Sequence, residues 1–239
     1  MTVIVVETKN QVISKLCDQI EKTAKESIER NGRFLIGISG GSLATFLTIG
    51  LPKVQTDFSK WRLFFCDERL VPVDNPDSTF GLYKRTLIDT NAVNLKDEQF
   101  VTVKQGLSAE AAAQDYAKQL TAYFPDGSVP RFDMLLLGMG PDGHTCSLFP
   151  GHALLNETSK WVASITDSPK PPPSRITLTF PVINNARVCV FAISGKEKAE
   201  MVKRILVNKE DLPSTRVKPT SGELYWIMDK EAGAYVNTS

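Results

Sequence analysis

Short apolar runs recur along the chain, and most are followed by a stretch with helical spacing. VIVVE (3–7) reads as a buried strand. The segment 11–30 then places Val12, Ile13, Leu16, Ile20, Ala24 and Ile28 at steps of three and four, which predicts a helix that Asn31-Gly32 ends. RFLIGI (33–38) predicts a second strand, SGGSLATFLTIG a turn into a helix that stops before Pro52, and WRLFFC (61–66) a third strand. DERLVPVDNPDSTFG (67–81) reads as a long polar loop, with a helix beginning at YKRTLID and a short strand at FVTVK (100–104). SAEAAAQDYAKQLTAYF (108–124) is the clearest helix, with Ser108 as its N-cap. FDMLLLGMG predicts the fourth main strand. Beyond it come a polar stretch and SPKPPPSR, then strands at RITLTFPVI (175–183) and RVCVFAIS (187–194), a helix at GKEKAEMVKRILV and a last strand at ELYWIMD (223–229).

Strands alternating with helices predict an α/β fold: a mostly parallel open sheet with helices on both faces, Rossmann-like. No shift of composition divides the chain, so residues 1–239 are expected to form one domain. In such sheets ligands bind beyond the carboxyl ends of the strands, and the residues just after each strand become the ones to inspect.

Composition narrows the function classes. Apolar residues make up 42% and charged residues 23%, as in an ordinary globular protein. A net charge of +1 offers no general attraction to nucleic acid or to an anionic membrane. MTVIVVETKN turns polar too soon for a signal peptide, and no apolar run nears the roughly 18 residues of a membrane span. The chain is therefore expected in the cytoplasm, where Cys17, Cys66, Cys146 and Cys189 would be free thiols. Their scatter, with two histidines in all, does not fit a zinc site.

Three strand ends carry candidate chemistry. GISGGS (37–42) lies between a strand and a helix start. Gly40 and Gly41 permit close backbone approach, the helix N-terminus supplies free N–H groups for an anion, and Ser39 and Ser42 can add hydroxyls. The spacing is neither that of a dinucleotide fingerprint nor that of a P-loop. Alone, the stretch fits a tight turn as well as an anion cradle. DERLVP (67–72) likewise fits a surface ion-pair cluster or a catalytic Asp67 with Arg69. In LGMGPDGHTCSLFPG (137–151), Gly138, Gly140 and Gly143 allow close approach, with Asp142 and His144 placed among them. A neutral imidazole can accept a proton at cellular pH, so this setting favours function over a core or capping histidine. His152 has no such surroundings and is expected to be structural or exposed.

SGGS, DERLVP and LGMGPDGHTCSLFPG in this order, continued by KPPPSRITLT and LPSTRVKPTSG, resemble the 6-phosphogluconolactonase branch of the glucosamine-6-phosphate deaminase/6-phosphogluconolactonase family, across nearly the whole chain. The resemblance implies a sugar-phosphate isomerase/deaminase-type fold. It also implies hydrolysis of 6-phospho-D-glucono-1,5-lactone to 6-phospho-D-gluconate, without metal or organic cofactor. A deaminase of the family carries a Glu five residues after the histidine; here that residue is Phe149, which favours hydrolysis. Thr79 departs from the family's Asn, and no role is assigned to Ser78 or Thr79.

The phosphate is expected on Ser39, Gly40, Gly41 and Ser42. By resemblance Arg175, aimed inward by the stiff run Pro171 to Pro173, and Lys198 join it. His144 is expected to be the general base that activates water. Backbone N–H groups near Gly143, or Arg69, would hold the oxyanion, and Asp142 or Asp67 would orient the imidazole. No G-x-S-x-G elbow supports a covalent serine mechanism. The expected partner is a small phosphosugar lactone, with no nucleic acid or membrane, and a monomer suffices. The alternatives are a phosphosugar deaminase or isomerase of the same fold and a non-catalytic phosphosugar-binding module.

Overall fold

The computed structural model describes residues 1–236. Its main sheet has seven strands in the order β1 (Thr2–Val6), β10 (Glu223–Asp229), β9 (Val188–Ile193), β6 (Met134–Leu137), β2 (Phe34–Ile38), β3 (Trp61–Phe65) and β5 (Phe100–Val101). All six pairings are parallel. From β2 the chain builds outward to β3 and β5; from β6 it builds outward the other way to β9 and β10. The crevice between the carboxyl ends of β2 and β6 is therefore the switch point at which such sheets bind ligands.

Alternation along the buried strands sends side chains to two separate cores. Phe34, Ile36 and Ile38 of β2, with Leu63 and Phe65 of β3, face helices α1 (Lys9–Asn31), α2 (Ser42–Gly50) and α3 (Thr79–Tyr83). Leu35 and Phe64, with Leu135 and Leu137 of β6 and Phe191 of β9, face α4 (Ala109–Thr121), α5 (Phe180–Ile183) and α6 (Ala199–Val202). Helix α1 starts two residues before its predicted position because Thr8 and Gln11 form a reciprocal capping box. It ends where expected, with Gly32 in the left-handed conformation at φ 70°. Ser108 caps α4 by accepting from the N–H of Ala111.

The polar segments differ most from expectation. Asp67–Arg69, expected as loop, forms β4 and pairs antiparallel with β8 (Arg175–Leu178), which pairs in turn with β7 (Val162–Ile165). This second, three-stranded sheet is absent from the sequence-based expectation. Glu68 shows why: it is a carboxylate in a strand, buried to 3% exposure. Its oxygens accept the N–H groups of Arg69, Thr79 and Phe80 at 2.7–2.8 Å, which no apolar pattern reveals. The same contacts start α3 at Thr79, ahead of the predicted YKRTLID. Strand β8 stops at Leu178 rather than running to residue 183, because Pro181 lacks an N–H and sits in the first turn of α5.

Candidate active site

The loop after β2 turns sharply into α2. Gly41 has φ 67° and ψ −143°, a conformation that favours glycine, and α2 begins at Ser42 with no side-chain cap. Ser39, Gly40, Gly41 and Ser42 line a cavity at this helix N-terminus, where unbonded N–H groups favour an anion. Ser39 is buried to 4% exposure and its Oγ has no partner among the described residues, while its carbonyl accepts from the Tyr83 hydroxyl at 2.7 Å. A buried hydroxyl without a partner is costly unless a ligand completes it. Thr79 packs directly under Gly40, where a Cβ would meet its Oγ1 at 3.1 Å.

The loop after β6 carries a hydrogen-bonded Asp–His pair. His144 Nδ1 lies 2.5 Å from Asp142 Oδ1. A ring nitrogen facing a carboxylate carries the proton, so Nε2 is left as the basic atom. Gly140 makes room for this pair: a Cβ there would lie 2.0 Å from the imidazole Nδ1 and Cε1. The loop closes through Gly140 N donating to His144 O at 2.9 Å and Gly143 N donating to Gly140 O at 3.0 Å. Ser214 fastens it from outside, its N and Oγ donating to Gly143 O at 3.0 and 2.9 Å. The His144 ring rests on Phe149, with centroids 4.7 Å apart.

Burial pushes the His144 imidazole below its ordinary value and Lys170 adds to this, while Asp142 and Asp67 pull the other way. Partial burial acts to raise Asp142, but the hydrogen bond and charge of His144, with Lys170, hold its carboxyl down at about 2. At neutral pH the pair is thus a carboxylate beside a neutral imidazole.

The two acids expected near His144 sit differently. Asp142 makes the contact; Asp67 instead accepts from Ser147 Oγ at 2.7 Å and adds a charge to the cavity wall. Gly143 requires a correction. Its φ is 80°, a Cβ there would meet Leu212 and Met201 at 3.1 Å, and its N–H is occupied within the turn. It shapes the loop, and it is not among the residues that line the cavity. Arg69 lines the cavity while donating to Asp77 O at 2.9 Å, and Lys198 lines it while donating to Met139 O at 3.0 Å.

Arg175 also lines the cavity, but its relation to the proline run is the reverse of the expected one. Its Nε donates to Pro172 O, and its Nη2 to Lys170 O and Pro171 O, at 2.9–3.0 Å. The buried guanidinium holds the prolines in place. That brings in a residue the sequence reading missed: Lys170, whose Nζ lies 3.1 Å from Asp142 Oδ1. Its signal was its position at the head of the proline run. His152 is structural, accepting from Leu154 N at its Nδ1 and contacting Asp167 through Nε2.

These segments enclose one cavity of about 200 Å³ with Arg69, Arg175 and Lys198 set against Asp67. Three cations to one anion suit a phosphate dianion. Cys146 lines the same wall, but its contact with Cys66 and its burial keep the thiol far above its ordinary pKa, so it is not a thiolate nucleophile. No serine side chain among the described residues bonds to the His144 ring. A larger groove of about 430 Å³, walled by Leu206, Val217 and Trp226, offers Lys209 and Lys218 but no acid–base pair.

The serine–glycine loop after β2 and His144 after β6 line one crevice at the switch point of the sheet. The family model described as glucosamine-6-phosphate isomerases/6-phosphogluconolactonase matches residues 7–226, and the chain belongs to this family. Within it the chain stands with the 6-phosphogluconolactonases and is an enzyme of that type. It is 47% identical over 226 residues to 6-phosphogluconolactonase of Rattus norvegicus, covering 92% of this chain and 87% of the relative. It is 48% identical over 207 residues to that of Homo sapiens, covering 84% and 80%. The solved 6-phosphogluconolactonase from Trypanosoma cruzi superposes with a TM-score of 0.85 at 27% identity, covering 99% of this chain and 97% of the other.

Proposed function

We propose that the protein hydrolyses 6-phospho-D-glucono-1,5-lactone to 6-phospho-D-gluconate, with His144 as general base toward water. The observation that carries this reading is that one cavity joins the uncapped N-terminus of α2 to the neutral imidazole. The phosphate sits on Ser39, Gly40, Gly41 and Ser42, balanced by Lys198 and Arg175. The lactone carbonyl then faces His144.

His144 Nε2 takes a proton from water as the oxygen attacks C1. The carbonyl electrons move onto the oxyanion, which the Arg69 guanidinium stabilises. Asp142 stabilises the imidazolium and keeps the ring in the required tautomer. Collapse of the intermediate breaks the bond from C1 to the ring oxygen, and the imidazolium returns its proton to that oxygen. The resulting carboxylic acid ionises in solvent. Every bond change is served by one base, and the position a deaminase fills with a carboxylate holds the apolar Phe149 against the ring.

The reading has the enzyme act as a monomer. No helix among the described residues is long and apolar enough to cross a membrane. The reading assigns the enzyme to the cytoplasm, acting on a small phosphosugar lactone with no nucleic-acid or membrane partner and no metal or organic cofactor.

The test is acid release from freshly generated lactone, with spontaneous ring opening subtracted. Turnover far above the spontaneous rate, and no ammonia from glucosamine 6-phosphate, is expected. A tight phosphosugar complex without turnover would contradict it.

A further inference from the structure

Lys170 stands where a free surface lysine would not. Its Nζ is 3.1 Å from Asp142 Oδ1 and 3.3 Å from His144 Nδ1, though it lies 26 residues along the chain from that histidine. Its backbone is fixed on both sides. Its carbonyl accepts from Arg175 Nη2 at 2.9 Å and from Ser168 Oγ at 2.8 Å, and its N–H donates to Ser168 Oγ at 3.2 Å. Arg175, which does this holding, is itself 3% exposed. A buried guanidinium ordering three successive carbonyls makes a rigid mount, and the ammonium is what that mount presents to the catalytic pair.

We propose that Lys170 is a positioning residue that fixes Asp142 against His144 and drives the proton back off the imidazole in the second half of the reaction. The proposal rests on the reading of His144 as the base. An ammonium has no acceptor, and neither does a protonated Nδ1, so the two donors converge on one carboxylate oxygen, Asp142 Oδ1. That clamps the carboxylate in the orientation that selects the tautomer. It also places two positive charges 3.3 Å apart whenever the ring is protonated. The imidazolium is then a stronger acid toward the departing ring oxygen.

The groups facing His144 are Asp142 and Lys170 at its Nδ1 side, Asp67 across the cavity, and Arg69, Arg175 and Lys198 in the cavity wall. Among these cations Lys170 is the one within hydrogen-bonding distance of the ring. Its Nζ meets the Asp142–His144 pair directly, so it acts through the pair. The lowering of His144 by Lys170 agrees with this geometry.

The experiment compares Lys170→Met and Lys170→Arg by steady-state rates across pH and by NMR titration of the His144 imidazole. With Lys170→Met, kcat should fall about 10-fold while KM stays within about twofold. The titration midpoint of His144, and with it the acid limb of the rate profile, should rise by about 0.5–1 unit. Lys170→Arg should restore both. An unmoved midpoint in Lys170→Met, or an unchanged kcat, would overturn the proposal; a rate loss with no shift would reduce Lys170 to a loop anchor. The NMR midpoint reports the Lys170–His144 coupling whether or not His144 is the base. Activity surviving in His144→Ala would instead defeat the general-base reading, leaving the two failures distinguishable.

Discussion

Asp142 Oδ1 and His144 Nδ1 are 2.5 Å apart, two residues from each other in one glycine-bounded turn. The carboxylate and the base thus ride on a single loop. Their geometry depends on Gly140 within the turn, Ser214 behind it and Lys170 against the carboxylate.

Replacing the acid tests the tautomer. Asp142→Asn keeps the shape but can offer its amide N–H to Nδ1, which would leave the proton on Nε2 and the base blocked. A loss in kcat of about 10²-fold or more is expected, with KM little changed, in steady-state assays.

Gly140→Ala tests the space. Its Cβ would overlap the imidazole at 2.0 Å, and because ring and turn are both anchored, the ring must leave Asp142. Activity should fall about 10²-fold or more while the melting temperature drops by only a few degrees. A fully active variant would show that the turn relaxes without moving His144.

Lys198→Ala tests the phosphate assignment. The cavity would keep two of its three lining cations, so KM for the phosphorylated lactone should rise about 10-fold or more with a small change in kcat. Hydrolysis of the unphosphorylated lactone, which has no dianion to hold, should be nearly unaffected. Equal effects on both substrates would place Lys198 at the reacting carbon instead.

The pH dependence follows from the direction of two shifts. His144 is held below its ordinary value of 6.5, so kcat/KM should be flat through neutrality and fall only below pH 6.5, as the ring protonates in the free enzyme. A histidine with a lowered folded pKa contributes stability fully above its unfolded value, near 6.5, and loses that contribution as pH falls through the folded one. Asp142, held at about 2 against an ordinary 3.8, adds stability above about 3.8 that is lost as pH falls toward 2. Acid denaturation of His144→Ala should therefore lose the first of these steps and weaken the second, because His144 helps to hold Asp142 down.

The buried parallel strands were legible because each is an apolar run between turn residues, and ELYWIMD (223–229) falls on β10 residue for residue. The candidate cavity was legible because strand ends in such a sheet converge, which brought Ser39, Asp67, His144 and Lys198 together from four separate segments. The second sheet was not legible. Its strand Asp67–Arg69 is polar, and Glu68 is satisfied by backbone N–H groups of residues 79 and 80, a long-range fact without periodic trace. Gly143 and Lys170 were misread or missed for a related reason. Sequence shows that a glycine is permitted or a lysine present, but not which N–H is already bonded or where a rigid loop carries a charge.

The central claim is that a neutral His144 removes the proton from the attacking water. Its most direct measurement is the turnover of His144→Ala on freshly generated lactone, with spontaneous hydrolysis subtracted and folding checked by circular dichroism. A fold-intact variant with kcat reduced about 10²-fold or more and near-normal KM is the expected result. Turnover above about a tenth of that of the unaltered enzyme would contradict it.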